Sequence, residues 1–249
     1  MKFSIITVTY NASRWLEKTL LSVLSQTYPD IEYILVDGAS TDGTTDIIRQ
    51  YESGIASWTS EPDAGLYDAM NKGLRRATGD YVWFLNAGDT LYTADTVQQI
   101  AGRLKKKGTL PDVIYGETSL VDAEGKSLGP RRLRAPEKLN WKSFRMGMLV
   151  CHQSFIVRRE IAPFYDTGYR LASDFDWCIR CLRKAEKVYN TRQVLSCFLE
   201  DGLSSVHRKE ALKERYRIMC GYYGTPPTVL RHVWFAMRFY AAKWFRGRV

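Results

Sequence analysis

Acidic, glycine and small hydroxyl residues gather at four places in the first half of the chain. They are Thr9-Tyr10-Asn11, Asp37-Gly-Ala-Ser-Thr-Asp42-Gly43, Glu61-Pro-Asp63-Ala-Gly65 and Asn86-Ala-Gly-Asp89. Each follows a short apolar run: Phe3–Val8, Ile31–Val36, Ile55–Thr59 and Tyr81–Leu85. One such segment is an ordinary turn. Four in succession, each at the end of a predicted strand, build one acidic, glycine-lined crevice. Such a crevice repels a bare phosphate. It accepts a diphosphate that carries Mn²⁺ or Mg²⁺, hard cations held by one or two carboxylates plus substrate phosphates. Asp89, in a turn of small residues, is the expected metal ligand. No Gly-x-x-x-x-Gly-Lys-Ser/Thr loop is present, which excludes P-loop chemistry.

The elements that must hold these segments alternate. Trp15, Leu16, Thr19, Leu20 and Val23 have helical spacing, and Thr45–Tyr51, Asp63 to Ala77 and Thr93–Lys106 read as further helices. Strand and helix in turn predict an α/β fold, a mostly parallel mixed sheet flanked by helices, with ligands beyond the carboxyl ends of the strands. After Gly108 the rhythm changes. Val113–Gly116 is a predicted strand, Ser119 to Leu133 a hairpin around Glu124-Gly125, Phe155–Val157 a strand and Asp174–Lys184 a helix. Arg208–Tyr222 is helical, and Pro226-Pro227 breaks the chain before a last helix. The expected division is a catalytic domain over 1–205 and a basic, aromatic helical segment over 206–249.

Composition narrows the classes. With 249 residues, 45% of them hydrophobic, a sizeable core is expected. No secretory leader and no membrane-spanning run are read from the pattern. Five cysteines without framework spacing suggest a reducing, cytoplasmic setting. Cys178 and Cys181 form a lone pair without the second pair that zinc needs, so they are expected to be structural thiols. The net charge of +9 is uneven: from Leu203 to Val249 there are ten Lys/Arg and two Glu. Without a recognised nucleic-acid motif, no nucleic-acid partner is expected. On a helical wheel Val233, Ala236, Met237, Tyr240, Ala241 and Trp244 share one side, and Arg231, Arg238, Lys243 and Arg246 lie around the other. That pattern suits an anionic membrane surface. The expected location is the inner face of the cytoplasmic membrane.

Thr7-Val-Thr-Tyr-Asn11, Val36-Asp-Gly-Ala-Ser-Thr-Asp-Gly-Thr44, Glu61-Pro-Asp-Ala-Gly-Leu-Tyr-Asp-Ala-Met-Asn-Lys-Gly73 and Phe84-Leu-Asn-Ala-Gly-Asp89 together resemble family 2 glycosyltransferases of the GT-A fold, of the bacterial envelope-polysaccharide and colanic-acid type. The resemblance runs from Met1 to about Ser205. It implies an inverting, metal-dependent transferase of the hexosyl class, with a UDP- or GDP-linked sugar as donor and a saccharide or lipid-linked saccharide as acceptor.

The resemblance also implies residue roles. Thr9, Tyr10 and Asn11 flank the base, and Asp37 is the first carboxylate of the base and ribose loop. Many members carry a second acid where this chain has Gly38, and Asp68 is the expected substitute. Asn86 and Gly88 replace two acids of the Asp-x-Asp segment, leaving Asp89 to the metal, with His207 as a further candidate ligand. Ala172-Ser-Asp-Phe-Asp-Trp177 resembles the acceptor-side motif, with Asp174 as general base; the alternative for Asp174 is a plain helix N-cap. His152, paired with Gln153, is expected near donor sugar or acceptor, or as a structural histidine. Loss of two acids keeps one alternative open, a catalytically weak or inactive nucleotide-sugar-binding module. A sugar-nucleotide pyrophosphorylase would want a basic glycine-rich N-terminal loop, which is absent.

Overall fold

A computed structural model describes residues 1–108, 110–200 and 208–246. Its first part follows the predicted rhythm: β1 (Phe3–Thr9), α1 (Ser13–Leu24), β2 (Ile31–Asp37), α2 (Thr44–Gln50), β3 (Ser57–Ser60), α3 (Leu66–Arg76), β4 (Tyr81–Phe84), β5 (Thr90–Leu91) and α4 (Thr96–Lys107). Then come β6 (Val113–Val121), β7 (Ser127–Pro130), β8 (Phe155–Arg158), α5 (Ser173–Lys184), β9 (Val188–Leu199), α6 (Arg208–Tyr223) and α7 (Thr225–Arg246).

Among the described residues the strands form one mixed sheet in the order β3-β2-β1-β4-β8-β6-β9-β5, with β7 paired to β6. Neighbours β3, β2, β1 and β4 run parallel, as do β6 and β9; β8, β7 and β5 are antiparallel to their neighbours. The register pairs Thr9 with Asp37 and Asp37 with Ser60, so the strand-end loops open on one edge.

Period-two alternation divides the side chains between two apolar layers. Phe3, Ile5, Tyr33, Leu35, Tyr81 and Trp83 face one cluster with Leu16 and Leu20 of α1 and Ile100 and Leu104 of α4. Ile6, Val8, Ile34, Val36, Val82 and Phe84 face the other, with Met70 of α3, Phe175 and Trp177 of α5, and Ile218 and Met219 of α6. Burying each large apolar side chain is worth about 1.5–3 kcal/mol, so both faces hold the sheet strongly.

Two features depart from the expectations. The long strand β9 carries Thr191-Arg192-Gln193 in its middle, with Arg192 at φ +55 and register shifts against β6, and this polar kink hides the strand in the sequence. Pro226 and Pro227 do not precede the last helix; they lie in the first turn of α7, where a missing N–H costs nothing. The expected boundary at 205/206 lies outside the described residues; α6, beyond it, packs into the main core. Glu214 of α6 also accepts from three backbone amides at the mouth of α5: Arg170 N (2.9 Å) on Oε1, Leu171 N (2.8 Å) and Ala172 N (2.9 Å) on Oε2.

Glu214→Ala leaves those three N–H groups without their carboxylate. We expect a loss of about 1–3 kcal/mol in urea unfolding, with Glu214→Gln, which keeps one acceptor, in between. Equal stability of wild type and Glu214→Ala would show that water replaces the carboxylate at no cost.

Candidate active site

The crevice is assembled by hydrogen bonds between its loops. Asp37, fully buried at the end of β2, accepts from Ser40 N (2.9 Å) and Ser60 Oγ (2.6 Å) on Oδ2 and from Ser40 Oγ on Oδ1. Asn11, at φ +46, joins the first loop to the second: its N–H donates to Ser40 Oγ (2.8 Å) and its Oδ1 accepts from Thr41 N (2.9 Å). Asp42 then ties both to the start of α1 through Ser13 N (3.0 Å). Burial pushes the Asp42 carboxyl up, but bonds from Thr44 and Ser13 outweigh it and hold the group below the usual range. Thr9 ends β1 with its Oγ1 buried and unpartnered, and Tyr10 beside it stands 67% exposed, an open ring at the rim.

The second acid of this loop comes from a different place than expected. A Cβ built on Gly38 would overlap Asp63 Oδ2, so the Asp63 carboxylate fills the space of a side chain at position 38. Asp68 instead turns back to its own loop, accepting from Ala64 N (3.1 Å) with Lys72 Nζ at 3.8 Å.

Asn86-Ala-Gly-Asp89 sits on α1, because Thr19 Oγ1 donates to Asp89 O (2.8 Å) and accepts from Gly88 N (2.9 Å). The Asp89 side chain points into protein. Its Oδ2 accepts from Gln153 Nε2 (2.7 Å) and its Oδ1 from Leu199 N (3.0 Å), and the residue is 4% exposed. Burial raises its carboxyl to about 7 against those two bonds. Gly88 has φ +100, and a Cβ there would lie 3.2 Å from Leu199 Cδ2, so an acid at position 88 is both strained and crowded. Asn86 Oδ1 is buried and has no partner. Among the described residues no three His, Cys, Asp or Glu side chains gather as a cation site. Both Asp89 oxygens thus meet protein donors, and in this structure the carboxylate clamps the end of β4 to Gln153 and to the end of β9. The other candidate ligand, His207, lies outside the described residues.

Asp174 is in the first turn of α5, whose N-cap is Ala172, so it is not the N-cap. Its Oδ1 accepts from Phe175 N (2.8 Å) and from Tyr67 Oη (3.3 Å), while Oδ2 has no hydrogen-bond partner among the described residues. Tyr67 is 4% exposed and stacks on Tyr165 with centroids 5.6 Å apart. Tyr165 stacks in turn on Trp177 (5.0 Å), and its hydroxyl meets His152 Nε2 at 2.5 Å. His152 also stacks on Phe84 at 5.4 Å. Burial lowers the imidazole to about 4, against the opposing charge of Asp174, so the ring is neutral at pH 7. His152 is thus part of an aromatic stack that reaches Asp174 through two tyrosines. Tyr67, Tyr165 and Glu214 were not singled out as site residues in the sequence, whereas Gln153 was, as the partner of His152. Of the three, only Tyr67 carried a signal, as the residue before Asp68 in the third motif.

Comparison with known proteins is consistent along most of the chain. The family described as Glycosyl transferase family 2 matches residues 4–163. An uncharacterized glycosyltransferase of Mycobacterium tuberculosis is 35% identical over 212 residues, 83% of this chain and 78% of that protein. A Bacillus subtilis protein named as a teichuronic acid biosynthesis glycosyltransferase is 31% identical over 216 residues, 84% of each. Among solved structures, Staphylococcus aureus TarS 1–349 in complex with UDP superposes with a TM-score of 0.69 at 19% identity, covering 88% of this chain and 66% of that one. The mannosyltransferase PcManGT of Pyrobaculum calidifontis, in complex with GDP-Man and Mn²⁺, gives 0.64 at 20% identity, covering 91% and 66%.

Asp89→Asn tests the clamp. Both neighbours of the carboxylate are donors, and Gln153 Oε1 is already taken by Cys151 Sγ, so an amide meets one of them with a donor of its own. We expect a loss of about 1–3 kcal/mol. The folded carboxyl lies above its ordinary 3.8, so the folded state keeps a proton that the unfolded state releases. That contribution is full below about pH 4 and fades as pH rises to about 7. The margin of wild type over the non-titrating Asn variant should shrink across that window in urea melts. A margin independent of pH would mean that Asp89 ionises as freely in the fold as outside it.

Proposed function

The chain belongs to glycosyl transferase family 2 and has the GT-A fold, and from that premise we propose that it moves a sugar, with inversion, from a nucleotide diphosphate to a hydroxyl of a saccharide or lipid-linked saccharide. The observation that carries this reading is the state of Asp174. One carboxylate oxygen is anchored by Tyr67 and Phe175 N, and the other is open to accept a proton.

The acceptor hydroxyl gives its proton to Asp174 Oδ2 as its oxygen attacks the anomeric carbon. The bond to the diphosphate breaks on the opposite face, and its electron pair leaves with the diphosphate. The buried stack of Tyr67, Tyr165, Trp177 and His152 holds the base without offering a competing charge. On the donor side Tyr10 offers a ring face to the base, while Asp37 shapes the loop and Asp63 supplies the second acid beside Gly38. UDP and GDP sugars are both candidate donors, since TarS and PcManGT were solved with one and the other. The relative named for teichuronic acid biosynthesis supports a role in bacterial surface polysaccharide synthesis. No step is routed through Mn²⁺ or Mg²⁺ at Asp89. Gly88 and the engaged Asp89 are what favour the second reading, a binding module without turnover, and sugar transfer separates the two.

Contact with an anionic membrane face through α7 is part of the proposal. No described helix is long and apolar enough to cross a membrane. Leu230, Val233 and Met237, at helical spacing, are 71%, 51% and 58% exposed, an apolar stripe turned away from the domain.

The test is transfer from a panel of UDP- and GDP-sugars, with thermal shift as the binding readout. Asp174→Asn should retain the donor-induced shift and lose roughly a hundredfold or more in kcat. Tyr67→Phe keeps the ring and removes one donor to the carboxylate. Loss of that anchor should lower kcat while the donor-induced shift is retained. Full turnover in a stable Asp174→Asn protein would remove Asp174 as the base.

A further inference from the structure

Near the end of α5 remote from Asp174 lies a set of cations that forms no ion pair among the described residues. Trp141, which opens the short helix Trp141–Met146, stacks on Tyr223 with centroids 5.7 Å apart and planes at 11°, and the Tyr223 hydroxyl donates to Trp141 O (2.6 Å). Tyr222 lies beside Tyr223. Lys142 Nζ is 5.7 Å from the Trp141 ring, the Arg183 guanidinium is 5.7 Å from both Trp141 and Tyr222, and Arg145 is 5.1 Å from Tyr223. Arg231 of α7 closes the group, with Nη1 3.3 Å from Met146 Sδ. Lys142 and Arg183 are exposed.

None of these four cations forms an ion pair among the described residues. The nearby acid, Asp176, is committed to Arg180 and to the Tyr222 hydroxyl. Arg145 Nε is buried without a hydrogen-bond partner. Ring faces offset little of the mutual repulsion of four like charges. An external anion offsets far more. Flat rings with cations above them suit the headgroup boundary of a bilayer, where rings sit half-wet and cations meet phosphates.

We infer that Lys142 and Arg183, beside the half-buried rings of Trp141 and Tyr222 and with Arg145 and Arg231 close by, seat this protein on the phosphates of an anionic bilayer. The inference deepens the proposed membrane contact and rests on that reading only for its consequence. Arg183 and Asp174 lie nine residues apart on α5, about 14 Å along the axis at 1.5 Å per residue. With α5 upright on the bilayer, that length would hold the base off the membrane and match a hydroxyl on the sugar part of a lipid-linked acceptor.

The experiment is co-sedimentation of the full chain with vesicles of phosphatidylcholine alone and of phosphatidylcholine with phosphatidylglycerol, at rising NaCl. Wild type should pellet with the anionic vesicles and be released by salt. Each basic residue near such a surface contributes about 1 kcal/mol, so Lys142→Gln with Arg183→Gln should weaken partitioning about 30-fold. The double variant should keep its melting temperature and its transfer to a water-soluble acceptor, because both side chains are on the surface and away from the crevice. Partitioning of the double variant equal to wild type overturns the inference, as does equal binding to neutral vesicles. Release by inorganic phosphate well below the NaCl of equal ionic strength also overturns it, since the patch would then be a discrete phosphate site. A protein that docks but transfers no sugar leaves the surface standing and removes the proposed function; one that transfers but does not dock does the reverse.

Discussion

Phe84, His152, Tyr165, Trp177 and Tyr67 pack ring against ring between the sheet and α5, and the reacting end of the molecule depends on that stack. Each ring comes from a different segment: β4, the turn before β8, the loop before α5, α5 itself and α3. The stack therefore fixes the distance between the donor-side loops and the acceptor-side helix. It also sets charge states. Desolvation keeps His152 neutral, so its contact with the Tyr165 hydroxyl is a neutral one and no cation competes for Asp174. The only hydroxyl of the stack that reaches the carboxylate is that of Tyr67, and it reaches one oxygen of the two.

The acids of the crevice divide by the same rule. A buried carboxylate must find donors. Asp37 finds three on Ser40 and Ser60, and Asp89 finds Gln153 and Leu199. Those bonds make both groups parts of the scaffold. Asp63 and Asp174 are less buried, and Asp174 keeps one carboxylate oxygen without a hydrogen-bond partner among the described residues. Asp89 joins β4 to the end of β9.

The family match ends at residue 163, yet what holds the proposed base lies beyond it. Glu214 binds the three amides that lead into α5, and Tyr222 binds Asp176 two residues after Asp174. The helix α6 is therefore structural for the active site. The same helix ends in Tyr222 and Tyr223, on which the uncompensated cations rest. One element thus links the base to the outer surface, so docking of that surface would orient the crevice.

By itself the sequence determined the alternating elements, the single loop-bearing edge, the family and Asp174 as the residue to watch. These follow from local pattern: period-two strands, helical spacing, and turn residues placed after apolar runs. Tertiary structure alone decided that Asp89 is a clamp, that Asp63 and not Asp68 stands at Gly38, and that α6 belongs to the core. It also revealed β9, whose polar kink at Thr191-Arg192-Gln193 conceals a strand paired with β6. The reason is the same in each case. A carboxylate's role depends on which donors reach it, and those donors lie far off in the chain: Gln153 is 64 residues and Leu199 110 residues from Asp89. No local periodicity encodes a partner at that distance; only the packing of the sheet and its helices brings the two together.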